Sequence, residues 1–87
     1  MKIETEIRQY LADTFLPGTA AESIDPQMPL VTGGIIDSLG MLHLIDFLES
    51  RYSIEFLPRE IDMQALDTLE RIVSLVNKKI ASSNSSA

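Results

Sequence analysis

Leu30-Val31-Thr32-Gly33-Gly34-Ile35-Ile36-Asp37-Ser38-Leu39 is the stretch whose reading decides the fold. It closes a segment without period and opens one with a helical period. The two adjacent glycines mark a turn. Asp37 is suited to accept hydrogen bonds from the unpaired N–H groups of a helix that begins behind it, which puts Ser38 at that helix's exposed start. A helix N-terminus also carries the positive end of the macrodipole, so a phosphodiester on Ser38 would meet favourable electrostatics. An Asp-Ser pair before a helix is most often an ordinary cap. The surrounding chain decides between the two readings.

Forward of Ser38, a second helix is expected to run to about Arg51, and a wheel at 100° per residue separates its faces. Met41, Leu44, Ile45, Leu48 and Tyr52 cluster on one side. Gly40, His43, Asp46 and Ser50 lie on the other, with Leu39 among them and Phe47 at the boundary. Isolated exposed apolar residues are common. Beside a modified Ser38, however, Leu39, Gly40, His43, Asp46 and Phe47 would form a docking face for partner proteins.

Backward of the motif, Ile3, Ile7, Tyr10, Leu11 and Phe15 recur at spacings of three and four, the stripe of an amphipathic helix over residues 2–16 that Pro17-Gly18 ends. Residues 19–36 contain Pro26, Pro29 and no sustained period, and read as a long loop of functional length that packs over the core. Beyond the second helix, Pro58 opens a short helical turn reaching Leu66. Asp67-Thr68-Leu69-Glu70 has the form of a capping box, and Leu69, Ile72, Val73, Val76 and Ile80 continue as a last helix ending near Lys78-Lys79. Residues 81–87 lack apolar surface and read as a disordered tail after a domain of residues 1–80. The expected fold is all-α: a four-helix bundle with three main helices, a short third one and a long first loop. Leu11, Phe15, Leu30, Leu44, Ile45, Leu48, Phe56, Leu69, Ile72 and Val76 form its expected core.

Composition narrows the function. The 87 residues include no cysteine and carry a formal net charge of −6. A field of that sign repels nucleic acid and anionic membranes and attracts basic protein surfaces. No leader precedes an apolar run, and no apolar segment approaches the roughly 20 residues that cross a bilayer, so a cytoplasmic monomer is expected. His43 is the only histidine. It lies five residues after Ser38, rotated away on the same helix, which argues against a serine–histidine catalytic pair. No cysteine or histidine pairs, EF-hand spacing or phosphate-binding glycine pattern occur, so neither a metal site nor a nucleotide cradle is expected.

Three blocks in register resemble the acyl carrier and peptidyl carrier protein family: residues 30–39; Leu42, Leu44, Ile45, Leu48, Glu49, Tyr52, Ile54 and Phe56; and Ile61 with Leu66-Asp67-Thr68-Leu69-Glu70-Arg71-Ile72. The resemblance spans Ile3 to Ile80. It implies that Ser38 receives a 4′-phosphopantetheine arm from coenzyme A, whose thiol holds an acyl or aminoacyl group as a thioester. It also implies that Asp37 aids the modifying enzyme's metal, and that the protein is a carrier and not an enzyme. The implied partners are a phosphopantetheinyl transferase, an adenylating acyl or aminoacyl ligase, and condensing or acyl-transfer enzymes. Fatty-acid synthase carriers typically have acidic residues where this chain has Gly40 and His43. The segment Ile36-Asp37-Ser38-Leu39-Gly40 looks more like free-standing carriers of secondary metabolism or specialised lipid synthesis. The alternatives are a housekeeping fatty-acid carrier and a non-covalent acidic helical module that keeps a bare serine.

Overall fold

The computed structural model describes residues 2–85 of the chain, and the side chains of residues 3–82. Helix α1 spans Lys2–Phe15, α2 spans Ser38–Tyr52 and α3 spans Leu69–Ser85, with single 3-10 turns at Ala21–Ser23 and Pro58–Glu60. The described residues contain no strand, and the fold is an all-helical bundle. The short third helix of the sequence reading takes the form of the turn Pro58–Glu60, with Glu60 tied back to its start: the Leu57 N–H donates to Glu60 Oε1 at 2.7 Å. Lys79 of α3 donates to the same oxygen at 2.6 Å and lies over the Phe56 ring. These contacts lock the segment to α3, and a single turn suffices.

The stripes meet as their periods require. Ile7 and Leu11 from α1, Leu44, Ile45 and Leu48 from α2, and Leu69, Ile72 and Val76 from α3 are buried together, with Ile24, Leu30, Ile36, Phe56 and Leu66 supplied by the connections. Of the expected core, only Phe15 is half-exposed. The long loop is anchored by Arg8, whose guanidinium donates to the carbonyls of Ile24 at 2.5 Å and Ala21 at 3.3 Å. Ile24, Leu30 and Ile36 act as its three pegs into the core. Hydrogen bonds to a charged donor satisfy carbonyls that a loop this long would otherwise leave to water.

Helix α1 and helix α2 are joined by a run of aromatic rings. Tyr10 stacks on Phe47 at 4.0 Å between centroids, Phe15 meets Tyr10 edge-on, and Tyr52 meets Phe47 edge-on. Glu6 closes this seam, accepting from Tyr52 Oη at 2.8 Å and from Arg51 at 2.5 Å. Burial, and then the hydrogen bond to Glu6, push the Tyr52 phenol well above its ordinary range.

At the far end, α3 continues helical through Ser85, past the Ala81 boundary expected from composition. Adding residues to a helix that is already nucleated fixes one residue per hydrogen bond, so weakly apolar sequence can extend it. Ser86 and Ala87, the rest of the expected tail, lie outside the described residues.

Candidate functional site

Helix α2 begins at Ser38 because Asp37 caps it. Asp37 is extended, at φ −88° and ψ −173°, and its Oδ1 accepts from the Gly40 N–H at 2.7 Å. Its backbone carbonyl accepts the next bond, from Met41 N–H at 2.8 Å. Ser38 is therefore the first helical residue, and it is exposed. Losing the cap is expected to cost about 0.5–2 kcal/mol. Asp37→Ala should accordingly lower the denaturant midpoint of unfolding, and an unchanged midpoint would show that the carboxylate does not hold the helix start.

Ser38 stands beside a stripe of exposed side chains. Leu39 and Leu42 are 62% and 58% exposed, and His43 and Asp46 are exposed with them. At 100° per residue these four fall on one side of α2. A shallow groove beside Asp37 is lined by Thr14 and Phe15 of α1, Ile35 of the loop, and Leu39, Gly40 and His43 of α2. His43 begins about 7.5 Å further along the helix axis than Ser38.

Two residues expected on that open face lie elsewhere. Gly40 is buried: a Cβ built there would lie 2.7 Å from the Phe15 ring and 3.1 Å from Asp37 Oδ1. Phe47 is half-buried in its stack on Tyr10. Both sit seven residues apart on the flank of α2 that α1 covers, so the open face is narrower than the wheel drawn on α2 alone suggests. Leu42, which the wheel did not single out, belongs to it. The missing information was the position of α1, which a one-helix projection does not contain.

The loop that delivers Asp37 is closed on itself and on α3. Leu30 carbonyl accepts from Ile35 N–H at 2.9 Å and Ile36 N–H at 2.8 Å. Gly34 takes φ +85°, a conformation that side-chain-bearing residues adopt only at a cost. The capping box expected at Asp67–Glu70 does not form. Thr68 caps α3 instead, its Oγ1 accepting from Arg71 N–H at 3.2 Å, while Glu70 receives a hydrogen bond from Gln27 across the loop. Asp67 turns to the loop, where Oδ1 accepts from Val31 N–H at 2.8 Å and Thr32 N–H at 2.9 Å, and Oδ2 accepts from Thr32 Oγ1 at 2.8 Å.

Those contacts hold the Asp67 carboxyl below the ordinary carboxylate range, the Thr32 N–H first and the Thr32 hydroxyl second. A carboxylate whose folded pKa is depressed stabilises the fold in full above its unfolded value, 3.8 here, and loses that contribution as pH falls through the folded value. The gap in urea midpoint between wild type and Asp67→Asn should therefore narrow between pH 7 and pH 3. A constant gap would show that the charge contributes nothing.

Among the described residues no three His, Cys, Asp or Glu side chains are grouped to hold a metal, and no helix is long and apolar enough to cross a membrane. No family model matches the chain. Over 76 residues it is 29% identical to the probable acyl carrier protein PigG of Serratia sp. (strain ATCC 39006), a match covering 87% of this chain and 86% of the relative. The similarity supports the acyl carrier protein family.

Proposed function

We propose that this chain is an acyl or aminoacyl carrier protein and that Ser38 is the attachment point of its 4′-phosphopantetheine arm. The observation that carries this reading is the exposed hydroxyl of Ser38 at the first position of a capped helix, beside the exposed Leu39 and Leu42. The donor chemistry fits. A phosphodiester on Ser38 would lie off the positive end of α2, in water, with no side chain to displace. When attached, the arm supplies a thiol that holds the cargo as a thioester. The chain's own residues do the rest: Asp37 fixes the helix start and offers a carboxylate to the modifying enzyme's metal, and α2 presents Leu39, Leu42, His43 and Asp46 to partner enzymes.

We further assign the carrier to a secondary-metabolite or specialised lipid pathway, loaded in the cytoplasm by an adenylating ligase before condensing or acyl-transfer enzymes take the cargo. Gly40 and His43 support this assignment over housekeeping fatty-acid synthesis, where acidic residues stand at the corresponding places. Any side chain at position 40 would bring its Cβ to 2.7 Å from the Phe15 ring, so the ring would have to shift to admit one.

Intact mass of the protein incubated with coenzyme A, with and without a phosphopantetheinyl transferase, tests the reading. One arm per chain is expected. Protein that stays at its starting mass with an active transferase would favour the non-covalent module.

A further inference from the structure

Asp67 makes contacts that a capping residue would not. Leu30 N–H donates to its backbone carbonyl at 2.6 Å, and Val31 and Thr32 contribute the three side-chain hydrogen bonds already described. Three consecutive loop residues are thus gripped by one residue 35 to 37 positions away in the chain. The grip passes on directly. Leu30 holds Ile35 and Ile36 through its carbonyl, and Ile36 precedes Asp37. Leu30 and Ile36 are also both buried pegs, so the turn between them has a fixed base in the core.

We propose that Asp67 is a positioning residue for the modification of Ser38, its side chain gripping Val31 and Thr32 in the turn that runs from Leu30 to Ile36 and so setting where α2 begins. The proposal rests on the reading of Ser38 as the attachment point. Ser38 is exposed in the first turn of its helix, where few neighbours hold it, so its placement depends on the cap and on the segment that delivers the cap. Transfer to a hydroxyl requires the oxygen to be aligned with the reacting phosphorus, and a misplacement of about 1 Å can lower the rate by around 100-fold. The side chains that a partner would meet, Leu39, Leu42 and Asp46, are carried by α2 itself. Loosening the loop therefore lowers the fraction of bound complexes that react, while binding persists.

The test compares full-length wild type, Asp67→Ala and Asp67→Asn with a phosphopantetheinyl transferase and coenzyme A, at a temperature where circular dichroism shows each folded. For Asp67→Ala we expect kcat lower by about tenfold with KM within about twofold, the signature of lost alignment. Asp67→Asn retains an oxygen that accepts from Val31 and Thr32, and should recover most of the rate. Amide hydrogen exchange should accelerate in Asp67→Ala at Ile35 and Ile36 as well as at Val31 and Thr32. If Asp67→Ala does not fold, Thr32→Val, which removes one of the four bonds, takes its place with an expected loss of about twofold in kcat.

Unchanged kcat in a folded variant would overturn the proposal. So would a raised KM at constant kcat, which would place Asp67 in contact with the transferase, or faster exchange confined to Val31 and Thr32, which would cut the link to Ser38. Wild-type protein that accepts no arm is a different result: it would remove the attachment reading, and this proposal with it.

Discussion

Ser38→Ala is expected to fold as the wild type does and to remain at its starting mass under conditions that fully modify the wild type. The side chain is exposed and makes none of the cap contacts, which belong to Asp37, so its removal should change stability by no more than about 0.5 kcal/mol. Alanine is also a good helix former at that position. The expected effect on modification is complete loss, because the bond to the arm forms at the serine oxygen. Ser38 is the only serine that begins one of the three described helices, and Ser23, Ser50, Ser53 and Ser74 have no comparable setting. An arm found on any other serine of the variant would sink the assignment.

Phe47 and Leu39 should separate sharply when stability and loading are measured on the same proteins. Phe47→Ala removes the ring stacked on Tyr10 and the edge that meets Tyr52, and should destabilise by about 2–3 kcal/mol. Leu39→Ser and Leu42→Ser remove side chains already mostly in water and should cost about 0.5 kcal/mol or less. If α2 presents those leucines to the loading ligase, both serine variants should lose loading while their unfolding midpoints stay in place. A loading defect in Phe47→Ala should disappear once the rate is corrected for the folded fraction. Normal loading of the Leu39→Ser, Leu42→Ser double variant would remove the docking role from this face.

How far the sequence could be read depended on whether a feature was local. The stripe of Ile7 and Leu11, the set Leu44, Ile45 and Leu48, and the run Leu69, Ile72 and Val76 are periodic within one element, and burial follows the period. The cap at Asp37 is local too, spanning the three residues to Gly40. What escaped notice depends on neighbours distant in sequence. Gly40 reads as a polar-face residue until Phe15 stands against it, and Phe47 as a boundary residue until Tyr10 stacks on it. Asp67 matched a local template, the capping box, yet its partners are 35 and 36 residues upstream. Thr68 performs the capping one residue later, which frees Asp67 for the loop. A short polar motif can satisfy either demand, and only the fold chooses between them.

The aromatic seam between α1 and α2 also determines how the folding of this chain can be observed. The sequence has no tryptophan and two tyrosines, Tyr10 and Tyr52. One is stacked on Phe47 and the other donates its hydroxyl proton to Glu6, so both chromophores sit on the same boundary. The tyrosine signals in near-ultraviolet absorption, circular dichroism and emission of the unlabelled protein therefore report that boundary, the docking of α1 onto α2. Ser38 lies outside that optical window, and chemistry on its hydroxyl proceeds in spectroscopic silence unless it moves the first helix.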